Sequence, residues 1–379
     1  MHHPGGPPSG FRGGPAPRGS LEHVTRSGGA VRYRPNGRLS DVHDPRRGLD
    51  VHRGLNGNRR IYAERPDHSR IYGERGRRGY VQHPYSYHGH DFARRSYFYH
   101  GRAYSRFYHG YEFRGRHLDV YAPGVFYRPA FYGWAYNNNN ASQWLTNYVE
   151  SQDMQTANAA QQESGEVDGA SGGMSGSQAL PPDVQQQVNE EVKGQVSLEN
   201  MEAQQNAQSQ APDPASSGIE RMLTDGHKHV FVVGSALDVT DSNQNECALS
   251  DGDVLAMTSP PPSDATTANL VVLTSKGGNE CQQSSTVTVQ LSDLQEMQNR
   301  MRELIDQGLQ QLQDAHGSGG LPSAPPSGQG PAVPAQYANI APPEDTNAQA
   351  EIQQQTQQAD QAESDVAAEA NQGGTTQPQ

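Results

Sequence analysis

Five arginines are interspersed with tyrosines in the stretch RRSYFYHGRAYSRFYHGYEFRG, residues 94 to 115. A guanidinium group donates two parallel hydrogen bonds to a phosphate or carboxylate, and an aromatic ring can hold it in place by stacking. The same residue types also suit phosphate contact and base stacking in nucleic-acid binding, which is the alternative interpretation. The predicted polyanion-binding residues are Arg94, Arg95, Arg102, Arg106, Arg114, Tyr97, Tyr99, Tyr104, Tyr108 and Tyr111.

The chain contains two cysteines, and each one follows an Asn-Glu pair. When residues 237–258 are aligned with residues 271–292, Cys247 and Cys281 fall at the same place in two similar hairpin patterns. Matched positions favour a structural disulfide; buried free thiols and a reactive or metal-binding pair are the alternatives. A disulfide would indicate an exported protein in an oxidising compartment.

The sequence lacks the common motifs of catalytic sites. No GxSxG elbow, P-loop, HExxH or CxxC motif is present. The stretch His88-Gly89-His90-Asp91 has residue types that bind divalent metals, but its spacing is not distinctive, so exposed or stacking histidines are favoured. We therefore expect a protein that is not an enzyme and that has no metal and no cofactor.

Charge divides the chain into two halves. Residues 1–150 carry a net charge of +12 and contain arginine but no lysine. The remainder of the chain carries a net charge of −25. A basic arm of this kind suits a polyanionic partner, and the acidic half either keeps the molecule soluble or folds back on the arm. The longest aliphatic runs are too short to cross a bilayer, so no transmembrane segment is expected.

Composition separates five regions along the chain. Only 32% of the residues are hydrophobic, which predicts that much of the chain is disordered. The predicted regions are a disordered Pro/Gly-rich segment at 1–30, a Tyr/Arg/His/Gly β-repeat region at 31–136, a Gln/Ala-rich linker with two helices at 137–217, a small β-domain plus helix at 218–313, and a disordered tail at 314–379. The tail is expected to form at most a transient helix near residues 346–370.

Short repeats organise the region 31–136. Asp-Val-His occurs at 41–43 and 50–52, Arg-Ile-Tyr at 60–62 and 70–72, and Phe-Tyr-His-Gly at 98–101 and 107–110. Each unit has a few β-favouring residues bounded by turn formers, and Asn56-Gly57 suits a turn with positive φ at both positions. The pattern predicts a layered or solenoid-like meander of short hairpins.

The region 218–313 has the composition of a compact domain. Five strands are predicted at 229–233, 237–240, 253–258, 269–275 and 286–291, forming a small β-barrel or sandwich. An amphipathic helix follows at 292–313, with Ser292 as its N-cap and with Leu294, Met297 and Met301 on one face. This helix is expected to cover the domain, and pairing with the same helix of a second copy is the alternative. Two weaker helices are predicted to begin near Ser142 and Asp183.

The sequence also resembles a family of proteins. The runs GRLSDVHDPRRGLDVHRGLNGNRRIYAERPDHSRIYGERGRRGYVQ and FYGWAYN, with ASQWLTNYV and ECALSDGDVL, are similar to an uncharacterised bacterial family of the acidobacterial type. The resemblance covers about two-thirds of the chain. It implies export to the cell envelope, and it carries no activity over to any residue of this chain. In this chain Tyr136 is followed directly by four asparagines, where the family has a Gly/Trp/Tyr-rich stretch.

Together these features predict a non-enzymatic envelope or surface-associated protein. Its expected partner is an anionic glycan, a lipid or another envelope polyanion, and homo-oligomers could form through the 292–313 helix. The expected location is the periplasm, the outer surface or the extracellular space, with the cytoplasm as the alternative. Residues 1–30 lack the apolar core of a signal peptide, so export requires a start site upstream.

Overall fold

The computed structural model describes residues 16–74, 79–87, 89–99, 102–113, 116–122, 218–275, 280–302, 345–373 and 375–378, together with scattered residues between 181 and 208. The predicted disorder of residues 1–15, the helix near Ser142 and the connecting segment 303–344 lie outside these residues. Among the described residues, no helix is long and apolar enough to cross a membrane.

The first half of the chain forms one antiparallel sheet. Its order is β10-β9-β8-β7-β6-β5-β4-β3-β2-β1-β17, so ten consecutive strands form a meander and a C-terminal strand pairs with the first. This confirms the mostly β fold that the repeats predict. The strands are β1 (Leu21–Val24), β2 (Ala30–Tyr33), β3 (Leu39–Asp44), β4 (Leu49–Arg53), β5 (Arg59–Glu64), β6 (Arg70–Glu74), β7 (Tyr80–Tyr87), β8 (His90–Tyr99), β9 (Arg102–Phe113), β10 (Arg116–Ala122) and β17 (Thr375–Pro378).

The sheet begins earlier than the sequence predicts. Residues 21–24, expected to be disordered, form β1 and pair with β2. The cause is local: Thr25 and Gly29 close a five-residue turn, and Gly28 adopts a φ of +86°. Glycine reaches this left-handed region without steric cost, so the chain reverses tightly enough for two short strands to pair.

The same turn recurs between several strands. In the connection from β4 to β5, Gly54 N–H donates to Asn58 O and Gly57 N–H donates to Gly54 O. Gly57 has a φ of +77°, while Asn56 stays outside the positive-φ region, so the predicted turn is present with one left-handed residue instead of two. In the connection from β5 to β6, His68 occupies the equivalent left-handed position with a φ of 62°.

A C-terminal helix covers one face of this sheet. Helix α3 (Ala348–Gly373) packs on a row of aliphatic side chains contributed by successive strands. The prediction of a disordered tail is therefore wrong for residues 348–373. Most helical stability in proteins comes from the packing of an apolar face, and the sheet supplies the apolar partner for this helix. On the sheet the core residues are Val31, Val42, Leu49, Val51, Ile61, Ala63, Ile71 and Val81, and on the helix they are Ala348, Ala359, Ala362, Val366 and Ala370.

The second half forms a six-stranded antiparallel sheet in the order β11-β14-β15-β16-β12-β13. Each of the five predicted strands is present, together with a sixth, β13, that the sequence analysis did not predict. Among the described residues no strand pairing joins β11 to β13, so the sheet is open and the predicted barrel is not confirmed. The strands are β11 (His229–Val232), β12 (Leu237–Asp241), β13 (Glu246–Leu249), β14 (Val254–Met257), β15 (Thr267–Val272) and β16 (Thr286–Gln290).

Helices within the described part of the chain pack on the second sheet. Helix α1 (Ile219–Thr224) and helix α2 (residues 291–302) contribute to one apolar cluster with the strands. Leu294 and Met297 are buried in this cluster, which confirms the apolar face predicted for α2 up to residue 302. Leu118 of β10 belongs to the same cluster, so the end of the first sheet packs against the second domain.

Candidate functional site

The face of the first sheet opposite α3 is polar, and the sequence repeats explain its pairing. When two copies of Asp-Val-His lie on adjacent antiparallel strands, each Asp faces the His of the other copy. Asp41 is paired with His52, and His43 with Asp50. Both His Nδ1 atoms lie 2.7 Å from an Asp carboxylate oxygen. The hydrogen bond to Asp50 raises the pKa of His43.

The next repeat follows the same rule. Pairing of β5 with β6 places Arg60 opposite Glu74 and Glu64 opposite Arg70. The central tyrosines of the two copies also face each other: the ring centroids of Tyr62 and Tyr72 are 5.0 Å apart. Tyr72 in turn stacks on Tyr80 of β7 at 4.6 Å. In both repeats the acid and the base lie at opposite ends of the unit. When two copies pair in antiparallel orientation, each acid is therefore opposite a base.

The row of residues continues across strands β6 to β9. Arg70 is paired with Gln82, Gln82 with Arg95, and Arg95 with Arg106. Residues paired across an antiparallel sheet share one face, so these positions lie on the polar face. Gln82 is 1% exposed, and neither of its amide atoms has a hydrogen-bond partner among the described residues.

The register sorts the predicted polyanion-binding residues into two sets. Besides the Arg95–Arg106 pair, Tyr97 is paired with Tyr104 and Tyr99 with Arg102. Alternation along β8 and β9 places Arg94 and Tyr111 on the opposite face, and Arg114 lies outside the described residues. The two Phe-Tyr-His-Gly copies do not pair, because the first ends at the β8–β9 connection and the second lies within β9. The predicted residues on the polar face are Arg95, Arg102, Arg106, Tyr97, Tyr99, Tyr104 and Tyr108.

A buried ion cluster joins the polar face to the second sheet. The Arg34 guanidinium donates to both carboxylate oxygens of Glu246, at 2.6 and 2.9 Å, and to Asp238 at 2.8 Å. Asp238 also accepts hydrogen bonds from His52 Nε2 at 3.2 Å and from the Leu55 backbone N–H at 2.9 Å. Burial opposes the charge on Arg34, but its hydrogen bond and charge interaction with Glu246 raise its pKa.

His52 is held charged in this cluster. Burial would lower its pKa, but the carboxylates of Asp41 and Asp238 outweigh that effect and raise the pKa to about 9. Burial likewise opposes ionisation of Asp41, yet His52 and Arg32 hold its pKa at about 2. Sequence reasoning missed this cluster, because Asp238 follows an ordinary strand pattern and meets residues nearly 200 positions away.

Acidic side chains of the C-terminal segment meet arginines of the basic half. Arg53 binds Glu363 through two parallel hydrogen bonds, at 2.8 and 2.6 Å. Arg59 lies 2.8 Å from Asp360. Of the two roles predicted for the acidic half, this segment therefore takes the second and folds back on the arm. The remaining contacts are Arg47 with Asp365, Arg65 with Glu351 and Asp345, His83 with Asp345, and Ser27 with Glu369.

The second sheet contains the disulfide that the matched cysteines predict. Cys247 and Cys281 are bonded, with an S–S distance of 2.09 Å. The Glu-Cys pairs of the two copies lie close together, because Ala248 forms a parallel bridge with Glu280 and Cys281 N–H donates to Ala248 O. Closing a loop of 34 residues is worth about 3–4 kcal/mol in the chain-entropy model.

Across the described part of the chain, no group of three or more His, Cys, Asp or Glu side chains could hold a metal ion. His90 and Asp91 begin β8, while His88 lies outside the described residues. Comparisons with protein-family models, with curated proteins and with solved structures find no significant match to this chain.

Proposed function

We propose that this protein is a non-enzymatic, exported binding protein of the cell envelope or cell surface, and that the polar face of strands β8 and β9 binds polyanions. The observation that supports this function is the direct pairing of Arg95 with Arg106. Like charges directly opposite each other destabilise a sheet, so an anion bound at this pair would be favourable. A phosphate, sulfate or carboxylate placed between the two guanidinium groups would remove the repulsion.

Neighbouring positions on the same face extend the surface. Tyr97 is paired with Tyr104, and Tyr99 with Arg102. Rings next to guanidinium groups can hold them by stacking while the fork of hydrogen-bond donors stays available. The disulfide between Cys247 and Cys281 fits an oxidising compartment and so supports export.

The test compares two arginines that are adjacent in sequence and lie on opposite faces. The full chain is titrated with a heparin oligosaccharide, with lipopolysaccharide and with single-stranded RNA, at low and at high salt. Arg95→Ala should weaken polyanion binding several-fold, and Arg106→Ala should do the same. Arg94→Ala removes the same charge from the other face and should have a much smaller effect.

The outcomes separate the alternatives. Equal losses for Arg94→Ala and Arg95→Ala would show that only bulk charge matters and would reject the polar face as the site. Absence of binding to all three probes at low salt would reject polyanion binding altogether. A strong preference for one RNA sequence would favour nucleic-acid binding instead. Cell fractionation of the native protein tests export, which a purely cytosolic product would overturn.

A further inference from the structure

A groove of about 1050 Å³ runs beside α3, on the face of the sheet opposite the proposed polyanion surface. One wall is formed by the turns at residues 34–38 and 54–58, and the other wall by the first half of α3. Leu39, Ile61 and Ile352 supply its apolar part. Its volume is at the upper end of the range for ligand sites in proteins, about 300–1,000 Å³.

The helix wall presents a row of unengaged amides. Gln349, Gln353 and Gln357 line the groove at intervals of four residues, and all three are exposed. Residues four apart on a helix are neighbours, roughly 6 Å from one another, so the amides form a line along the groove. Their side chains have no hydrogen-bond partner among the described residues, and each amide can both donate and accept.

The opposite wall presents guanidinium groups. Arg53 is half exposed and holds Glu363, and Arg59 holds Asp360, so these arginines already bind carboxylates. Arg38 is exposed, and its guanidinium has no partner within the described part of the chain. Asp360 is the one carboxylate among the lining residues, and it is paired with Arg59. The groove therefore offers a cation that has no partner among the described residues, opposite a line of amides.

We propose that this groove binds one strand of an acidic glycan. The hydroxyl groups of the sugar would meet the amide row along its length, and an acidic group would meet Arg38. A ligand dense in hydroxyls needs donors and acceptors at regular intervals, which the glutamines provide, whereas a peptide would need separate pockets for alternate side chains. The site is separate from the polar face and does not depend on the function proposed above.

The experiment uses the full chain carrying Arg95→Ala and Arg106→Ala, so that binding to the polar face is removed. Calorimetric titration with a short oligogalacturonate then reports on the groove. Arg38→Ala and Gln353→Leu should each weaken binding about three- to tenfold, the effect of one lost hydrogen bond or charge contact. The matched controls are Arg46→Ala and Gln354→Leu, because both residues are exposed and neither lines the groove.

Two results with the glycan probes would overturn this proposal. One is the absence of saturable binding to oligogalacturonate and to a sulfated heparin oligosaccharide, which together cover carboxylate and sulfate as the acidic group. The other is an equal loss of affinity in the groove variants and in their controls. Tighter binding of polyglutamate than of either glycan would also reject a glycan and indicate an acidic peptide. Because the polar face is disabled in this background, failure of the groove says nothing about the polyanion surface.

Discussion

The contacts of His52 predict that the protein loses stability as the pH rises towards about 9. His52 Nδ1 lies 2.7 Å from Asp41 Oδ1, and Nε2 lies 3.2 Å from Asp238 Oδ2, so a charged imidazole donates to two carboxylates. These contacts raise its pKa from 6.5 to about 9 although burial opposes the charge. An unfolded histidine keeps the ordinary pKa. The stabilisation is therefore complete below about pH 6.5 and is lost as the pH rises to about 9.

The magnitude follows from the size of that shift. Between these two pKa values the folded state binds one more proton than the unfolded state, which corresponds to about 3 kcal/mol of unfolding free energy. The lowered pKa of Asp41 arises in part from the same contact with His52. The free energies that correspond to the two pKa shifts are therefore not added. At the acid end, the stabilisation from ionised Asp41 is lost as the pH falls from 3.8 through about 2.

Urea unfolding at about pH 6 and about pH 9.5 tests the alkaline loss. Wild type should lose about 3 kcal/mol more between these conditions than His52→Gln. The control His68→Gln changes a histidine whose side chain is 81% exposed, and it should follow wild type. Some loss should remain in His52→Gln, because the pKa of His43 is also raised. Both cysteines are bonded, so no free thiol complicates the alkaline measurement. Equal pH dependence of wild type and His52→Gln would refute the reasoning.

Three further changes test the packing of the first sheet. His68 has a φ of 62°, so His68→Gly should raise the unfolding free energy by about 1 kcal/mol, seen as a higher urea midpoint. A Cβ at Gly79 would lie 2.4 Å from Tyr72 O and 2.9 Å from Ile352, so Gly79→Ala should cost about 1–3 kcal/mol and speed hydrogen exchange in α3. Removing residues 345–379 uncovers the aliphatic face of the sheet, so the truncated chain should bind an apolar dye and aggregate.

Each of these three predictions has a control variant or an outcome that would contradict it. His68→Ala keeps the strained backbone, so a gain in stability equal to that of His68→Gly would remove the conformational explanation. Gly194→Ala adds a Cβ that meets nothing within 4 Å, and it should not destabilise the chain. If the truncated chain stayed monomeric and bound polyanions more tightly, α3 would be a competitor for the ligand and not part of the core.

The strands could be predicted because their signals are local. The Arg-Ile-Tyr units have the length and composition of β5 and β6, and Asn56-Gly57 marks the turn before them. The β-rich runs of the second domain likewise match five of its strands. The register between the strands of each repeat also follows from the sequence, because antiparallel pairing of two copies places each acid opposite a base. The pairing of Asp41 with His52 is then the expected one.

The sequence predicts at most a transient helix near residues 346–370, and the stability of the helix on the first sheet could not be predicted because it is not local. Its buried side chains include Ala359, Ala362 and Ala370, which give a weak apolar stripe. Small side chains suffice here because the sheet beneath the helix is a continuous aliphatic surface. The strands that form this surface lie more than 220 positions earlier in the chain, so local sequence does not reveal them. The cluster at Asp238 was missed for the same reason, since its partners are set by how the two sheets meet.

The strand register places charged residues opposite one another across the first sheet. From β2 to β6 several pairs place an acid opposite a base, as for Arg32 with Asp41, Arg60 with Glu74 and Glu64 with Arg70. Where Arg53 faces Arg59 instead, Glu363 of α3 binds both guanidinium groups. Between β8 and β9 the rule changes, and Arg95 faces Arg106. Repulsion between like charges that face each other lowers the stability of a sheet. An anion from outside the described residues would place a negative charge beside these two arginines. The pairing of opposite charges seen in the first strands therefore supports a ligand on the later ones.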